Sequence, residues 1–125
     1  MSTSSLPHNH NSDIFKTLDE MPGCDEFLTV SDIFKQLSDC SRIRIFWILC
    51  HCEECVINIA SLVNMSTPAV SHHLKQLKDN GLIVSRREGK EVYYKAADTK
   101  QVKLLHITIE KLVTFSCPFL CPTDK

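Results

Sequence analysis

After Gly81 the period of the chain changes from helical to two, and that switch limits the fold more than any other feature of the chain. Up to that point "STPAVSHHLKQLKDNG" reads as one helix with a start and a stop. Ser66 is a good N-cap, and Pro68 sits in the first turn, where a missing N–H costs little. Val70, Leu74 and Leu77 form a buried stripe, and Asn80-Gly81 ends the helix in the left-handed region. In "LIVSRREGKEVYYKA", Ile83, Ser85 and Arg87 alternate with Val84 and Arg86. Glu88-Gly89-Lys90 is a turn signal and Val92, Tyr93 and Tyr94 restart strand-forming composition. The expectation is a helix that runs straight into a hairpin with a charged tip.

The segments on either side extend this pattern. Val56, Ile59, Ala60 and Val63 predict a short helix, joined by the tight turn "NMS" to the capped one, which is helix-turn-helix spacing. Earlier, Ser12 is the expected cap of a helix with Ile14, Leu18 and Met21 on one face, broken by Pro22-Gly23. A second helix carries Phe27, Val30, Phe34 and Leu37. A third follows Ser41, with Ile45, Ile48, Leu49 and Cys52 on one side and Trp47 offset, and "CHCEEC" interrupts it. From Asp98 the helical period returns along Val102, Leu105, Ile109, Leu112, Val113 and Ser116, with Leu104, Ile107 and Phe115 on a second side, until Pro118 ends it. So wide an apolar band suits pairing with a second copy, burial in its own domain being the alternative. The fold expected is mainly α with a small β-hairpin: a dimeric winged helix-turn-helix ordered helix, helix, helix, short helix, recognition helix, strand, strand, helix. The 125 residues suggest one compact domain over 12–116, with a polar N-terminal arm at 1–11 and a Cys/Pro-containing tail at 117–125.

Such a unit can lay its second helix in the DNA major groove and its wing along the backbone. With the apolar stripe facing inward, Ser66, Thr67, Ala69, Ser71, His72, His73, Lys75 and Gln76 spread over the front and flanks. Gln can read adenine, Ser, Thr and His can bond base edges or phosphates, and Ala can touch a thymine methyl. Arg86, Arg87 and Lys90 on the wing are the expected phosphate or minor-groove contacts. The charge distribution agrees. Residues 66–95 hold six Lys or Arg against three acids, whereas residues 1–32 hold six acids and one lysine. A merely solvated face is the alternative. No phosphate loop, nucleophile–base motif or pocketed acid pair points to an enzyme.

Seven cysteines are many for a chain whose N-terminus lacks the basic and apolar regions of a signal peptide, and the number is odd. No apolar run approaches membrane-spanning length, so the expected setting is the cytoplasm, with free thiols. Thiolate is the soft ligand that suits zinc, cadmium, lead, copper(I) and arsenite. Cys52 and Cys55 form a Cys-x-x-Cys pair with Cys50 two residues earlier, and Cys117 and Cys121 lie in "CPFLCP". Cys52, Cys55, Cys117 and Cys121 are the expected ligands, with Cys50 as an extra and Cys24 as an alternative. Cys40 reads as a small buried hydrophobe.

The stretch "IASLVNMSTPAVSHHLKQLKDNGLIVSRREGKEVYYKA" resembles the ArsR/SmtB family of metal- and metalloid-responsive winged-helix repressors. "AVSHHLKQLKDNGLI" followed by "RREGKEVYY" is similar to that family's recognition helix and wing, and "SRIRIFWIL" to the helix before them. The resemblance covers roughly residues 26–115. It implies a homodimer joined through its first and last helices, bound to a twofold-symmetric double-stranded operator and released by an inducer ion. The sequence also departs from the family. Cys55 matches the first sulfur of a "C-V-C" pair, but Ile57 replaces the second. Asp98 matches one ligand of a site on the last helix, but Lys100, Lys111 and Thr114 occupy the others. His106 and Glu110, four apart, read as an ion contact on the helix surface, with metal binding as the alternative. Two further readings stay open: a cysteine oxidation or sulfide switch in place of the ion, and a partner-binding winged helix without DNA affinity.

Overall fold

The computed structural model describes residues 6–10 and 13–120 of the chain, with side chains described through residue 115. Its contacts divide into two units, Met1–Asp32 and Ile33–Lys125. In the first, helix α1 (Ile14–Glu20) starts from Asp13, whose carbonyl accepts the Thr17 N–H at 3.1 Å. Ser12, the expected cap, lies outside the described residues. Helix α2 (Cys24–Gln36) begins after Gly23, whose N–H donates to Glu26 Oε1 at 2.8 Å, satisfying one of the amides a helix start leaves unpaired. Of the apolar stripe expected here, Phe27, Val30 and Phe34 are exposed, whereas Leu37, just past the helix end, packs against the core of the second unit.

The second unit carries the core. Helix α3 (Cys40–His51) is capped by Asp39 rather than after Ser41. The Asp39 carboxylate accepts the Arg42 N–H at 2.9 Å, and that bond holds its carboxyl below the usual range. Ile45 and Leu49 are buried as their spacing predicts, but Phe46, the largest fully buried side chain, adds a second inward row. Cys52 is exposed, not inward. The "CHCEEC" stretch does more than interrupt. Glu54–Cys55 forms a short strand, β1. Helix α4 (Val56–Val63) follows and buries Ile59, Ala60 and Val63.

Asn64 ends α4 in the left-handed conformation with φ 58°, a geometry asparagine tolerates better than most residues. The turn is closed by the Met65 N–H donating to the Ala60 carbonyl at 3.0 Å. Helix α5 (Thr67–Asp79) then starts as expected, with Ser66 Oγ accepting the Ala69 N–H at 3.2 Å, and buries Val70, Leu74 and Leu77. It stops at Gly81, φ 76°, where the Leu82 N–H reaches back to the Leu77 carbonyl at 3.0 Å.

Strands β2 (Ile83–Glu88) and β3 (Glu91–Ala96) pair antiparallel from Ile83 opposite Ala96 to Glu88 opposite Glu91. Their turn carries Gly89 at φ 64°. The sheet has three strands in the order β1-β3-β2, because Glu54 and Cys55 pair with Tyr94 and Tyr93. Helix α6 (Lys100–Leu120) buries Val102 and half-buries Leu105 and Ile109. It contains Pro118 rather than ending before it, the proline lying in the final turns.

These elements meet in one cluster: Ile45, Phe46 and Leu49 from α3, the α4 and α5 stripes, Leu82, Ile83, Ala97 and Val102. Burying a side chain of that size stabilises by roughly 1.5–3 kcal/mol. The cluster therefore fixes α5 and the hairpin as one rigid piece.

Candidate nucleic-acid interface and ligand residues

The α5 stripe sets which residues can face outward. With Val70, Leu74 and Leu77 in the core, Ser66, Thr67, Ser71, His72 and Lys75 are exposed, and Ala69 and Gln76 are half-exposed. Pro68 has no N–H and the Ala69 N–H is taken by Ser66 Oγ, which leaves the Thr67 amide in that first turn for an incoming anion. Lys75 pairs with Asp79 at 3.0 Å, but both are exposed, and such an i,i+4 pair is weak enough to exchange for a phosphate.

His73 does not belong to this face. Its side chain is only 12% exposed and turns toward α3. Arg42 Nε donates to its Nδ1 at 3.2 Å, and Asp39 Oδ1 lies 3.9 Å from its Nε2. Arg42 also donates through Nη1 to Oε1 of the buried Gln36 at 2.9 Å. Partial burial pulls the His73 pKa below its ordinary value, against the attraction of Asp39. His73 is thus tied to α3 rather than free on the outer face. Neighbours on a helix point about 100° apart, which separates His72 outside from His73 inside.

The wing divides similarly. Arg86 is held by carboxylates: Nε and Nη2 donate to the two Glu53 oxygens, each at 2.8 Å, and Nη1 donates to Glu88. Its guanidinium also lies 4.9 Å from the Tyr93 ring centroid. The bidentate bond keeps the Glu53 carboxyl below its usual range. Arg86 therefore ties the segment before β1 to the hairpin, its guanidinium already engaged by two carboxylates. Arg87 and Lys90 are exposed and have no ion pair among the described residues. Lys78 Nζ donates to Ser85 Oγ at 2.7 Å, fastening α5 to β2.

The cysteines lie in contrasting settings. Cys55 is buried at the N-cap of α4, and Cys52 is exposed at the C-cap of α3 with its thiol 3.5 Å from the Ile48 carbonyl. Cys50 is half-buried, and desolvation, helped by Glu110, pushes its thiol up to about 11. Cys40 is exposed, not the buried residue expected, because helix α3 starts there. Cys24 is exposed in the first unit. The Cys117 side chain and Cys121 lie outside the described residues. Among the described residues, three donor groups gather in one place: His51, His106 and Glu110. The sequence offered His106 and Glu110 as an i,i+4 pair. His51 joins them only because α3 ends beside α6. Likewise, Gln36, Asp39, Arg42 and Glu53 carried no local sign of their partners.

Comparison with known proteins agrees with this geometry. The family described as "Bacterial regulatory protein, arsR family" matches residues 39–85. The chain is 42% identical over 79 residues to a cadmium resistance transcriptional regulatory protein CadC homolog of Staphylococcus aureus, covering 62% of this chain and 64% of that protein. It is 39% identical over 82 residues to the cadmium resistance transcriptional regulatory protein CadC of Listeria innocua, covering 65% of this chain and 69% of that one. Among solved structures it resembles the homodimeric winged helix-turn-helix DNA-binding domain of a possible ArsR-family regulator from Mycobacterium bovis. The TM-score is 0.62 at 27% identity, over 86% of this chain and 89% of that one.

Proposed function

The chain belongs to the arsR family of bacterial regulatory proteins, and from that premise we propose that it is a transcriptional repressor that grips operator DNA as a homodimer and releases it when a soft metal or metalloid ion binds. The family is one of DNA-binding regulators, not enzymes. Among the described residues no helix is long and apolar enough to cross a membrane.

The observation that carries the reading is the outward row of α5, Ser66, Thr67, Ser71, His72 and Lys75, presented by a capped helix and followed by a wing whose Arg87 and Lys90 are unengaged. Base edges are read from the helix, with Gln76 and Ala69 at its flank, and the wing cations neutralise phosphates. Dimerisation is supported by α6. Leu104, Ile107, Leu112, Val113 and Phe115 are all exposed, an apolar area that a solvated helix does not need. A twofold operator follows from a twofold dimer.

Two cadmium-resistance relatives support a thiophilic inducer, and Cys52 and Cys55, with Cys117 and Cys121 beyond or at the edge of the described residues, are its proposed ligands. Cys52 ends α3 and Cys55 begins α4, so an ion held there would pull on the first helix of the helix-turn-helix. A coupling of about 1–3 kcal/mol between ion and DNA is enough for a switch.

The test is gel mobility of DNA from upstream of the chain's own coding sequence, at low salt, with zinc, cadmium, lead, arsenite and copper(I) added in turn. Retardation by the metal-free chain and release by at least one ion, blunted in Cys52→Ser, is expected. No retardation of any fragment, or retardation indifferent to every ion, would sink the reading.

A further inference from the structure

Where α3 ends against α6, three side chains point their donor atoms at one another. His51 Nε2 lies 3.0 Å from His106 Nε2, His106 Nε2 lies 3.2 Å from Glu110 Oε2, and His51 Nε2 lies 3.3 Å from the same oxygen. Protons alone do not satisfy this triangle. If both imidazoles carry hydrogen on Nε2 and donate to the carboxylate, their own contact sets donor against donor. If one imidazole donates to the other, the acceptor ring has no hydrogen left for Glu110. A cation at the centre resolves the conflict, because all three atoms then present lone pairs. The spacing also fits: an ion bonded at about 2.0–2.1 Å in tetrahedral array holds its ligands about 3.3 Å apart.

We propose that His51, His106 and Glu110 form a divalent-cation site that clamps the end of α3 to α6, separate from the cysteines. The flanking structure is that of a supported ligand set. Trp47 Nε1 donates to Glu110 Oε2 at 2.8 Å and orients the carboxylate. The Trp47 and His51 ring centroids are 4.1 Å apart, and the His51 and His106 rings meet edge to face at 4.7 Å. His51 and Glu110 are each 44% exposed at the side chain, so an ion reaches the site from solvent and keeps water on its remaining positions. Two imidazoles and one carboxylate select borderline first-row ions such as zinc, nickel or cobalt over magnesium or calcium, and lack the sulfur that cadmium or arsenite prefers. A clamp between α3, which is bonded to His73 of the recognition helix, and α6, whose outer face is apolar, gives this second ion class its own handle on the regulator.

Trp47 is the chain's single tryptophan and touches two of the three ligands, so its fluorescence reports the site directly. The full reduced chain, without DNA, is titrated with cobalt(II) while Trp47 emission and the cobalt spectrum are followed. Expected are quenching of Trp47 that saturates at one ion per chain, and a visible d–d band that accompanies it. Both weaken by at least about tenfold in affinity in His51→Gln, His106→Gln and Glu110→Gln, and both persist in Cys52→Ser. These three positions are exposed or half-exposed, and circular dichroism is to be recorded on each variant to check that it is folded. Absence of quenching, quenching unchanged in both histidine variants, or loss of any sulfur-to-cobalt charge-transfer band along with His51 would overturn the proposal. Because no DNA is present, failure of operator binding does not bear on the result.

Discussion

Arg42 Nε donates to His73 Nδ1 at 3.2 Å, so the recognition helix is keyed to α3 by a histidine embedded in its reading sequence. The bond needs an unprotonated Nδ1. Replacing His73 by Ala leaves Arg42 Nε without this acceptor and is expected to cost about 1 kcal/mol of stability. The pH dependence follows from the direction of the shift. The folded pKa lies below the ordinary 6.5, so the folded state resists protonation. Above 6.5 the ring is neutral in both states and contributes no slope. As pH falls through 6.5 the unfolded chain gains the proton first, and stability drops until the folded pKa is passed. Urea denaturation at about pH 7.5 and about pH 5.5 is expected to show a steeper loss in the native chain than in His73→Gln. Equal losses would remove His73 from this role.

The wing cations separate by partner. Arg87→Ala and Lys90→Ala are each expected to weaken DNA binding across sequences and to reduce the slope of log affinity against log salt by about 0.9. Arg86→Ala should act differently, lowering the melting temperature because Glu53 and Glu88 lose their partner. Fluorescence anisotropy at several salt concentrations, with a thermal melt of each variant, makes the comparison. A salt slope lowered equally by Arg86→Ala would place that residue on DNA after all.

On α6, a double replacement Ile107→Glu with Leu112→Glu puts charge into the exposed apolar face. The expected result is a folded monomer by sedimentation, with operator affinity down by about 10²–10⁴ once two half-sites can no longer be held together. A dimer that survives both substitutions would locate the interface elsewhere.

Phe46 is fully buried and the bulkiest member of the core. Phe46→Ala is expected to cost about 3–5 kcal/mol through lost contacts and a residual cavity, a large part of a small domain's stability. A chemical-denaturation curve measures it, and a loss under about 1 kcal/mol would mean that the core closes over the gap.

Much of the reading unit was legible because its causes are local. The Ser66 cap, the Val70-Leu74-Leu77 stripe, the left-handed Gly81 and the Gly89 turn each depend on residues within a few positions, and each is found as expected. Phe46 escaped because α3 buries two adjacent rows, which a single-stripe pattern does not register. Strand β1 escaped because two residues carry no period at all.

The sequence by itself determined the order of the helices and the hairpin, the boundaries of the recognition helix and the wing, and the kinds of side chain available to DNA. Tertiary structure alone decided which of them are engaged elsewhere. His73 turns to Arg42 across 31 residues, Arg86 to Glu53 across 33, and His51 to His106 across 55. Periodicity and capping are set by bonds that span three or four residues. Pairings at these separations exist only once the shared core has set α3, α5, α6 and the hairpin against one another.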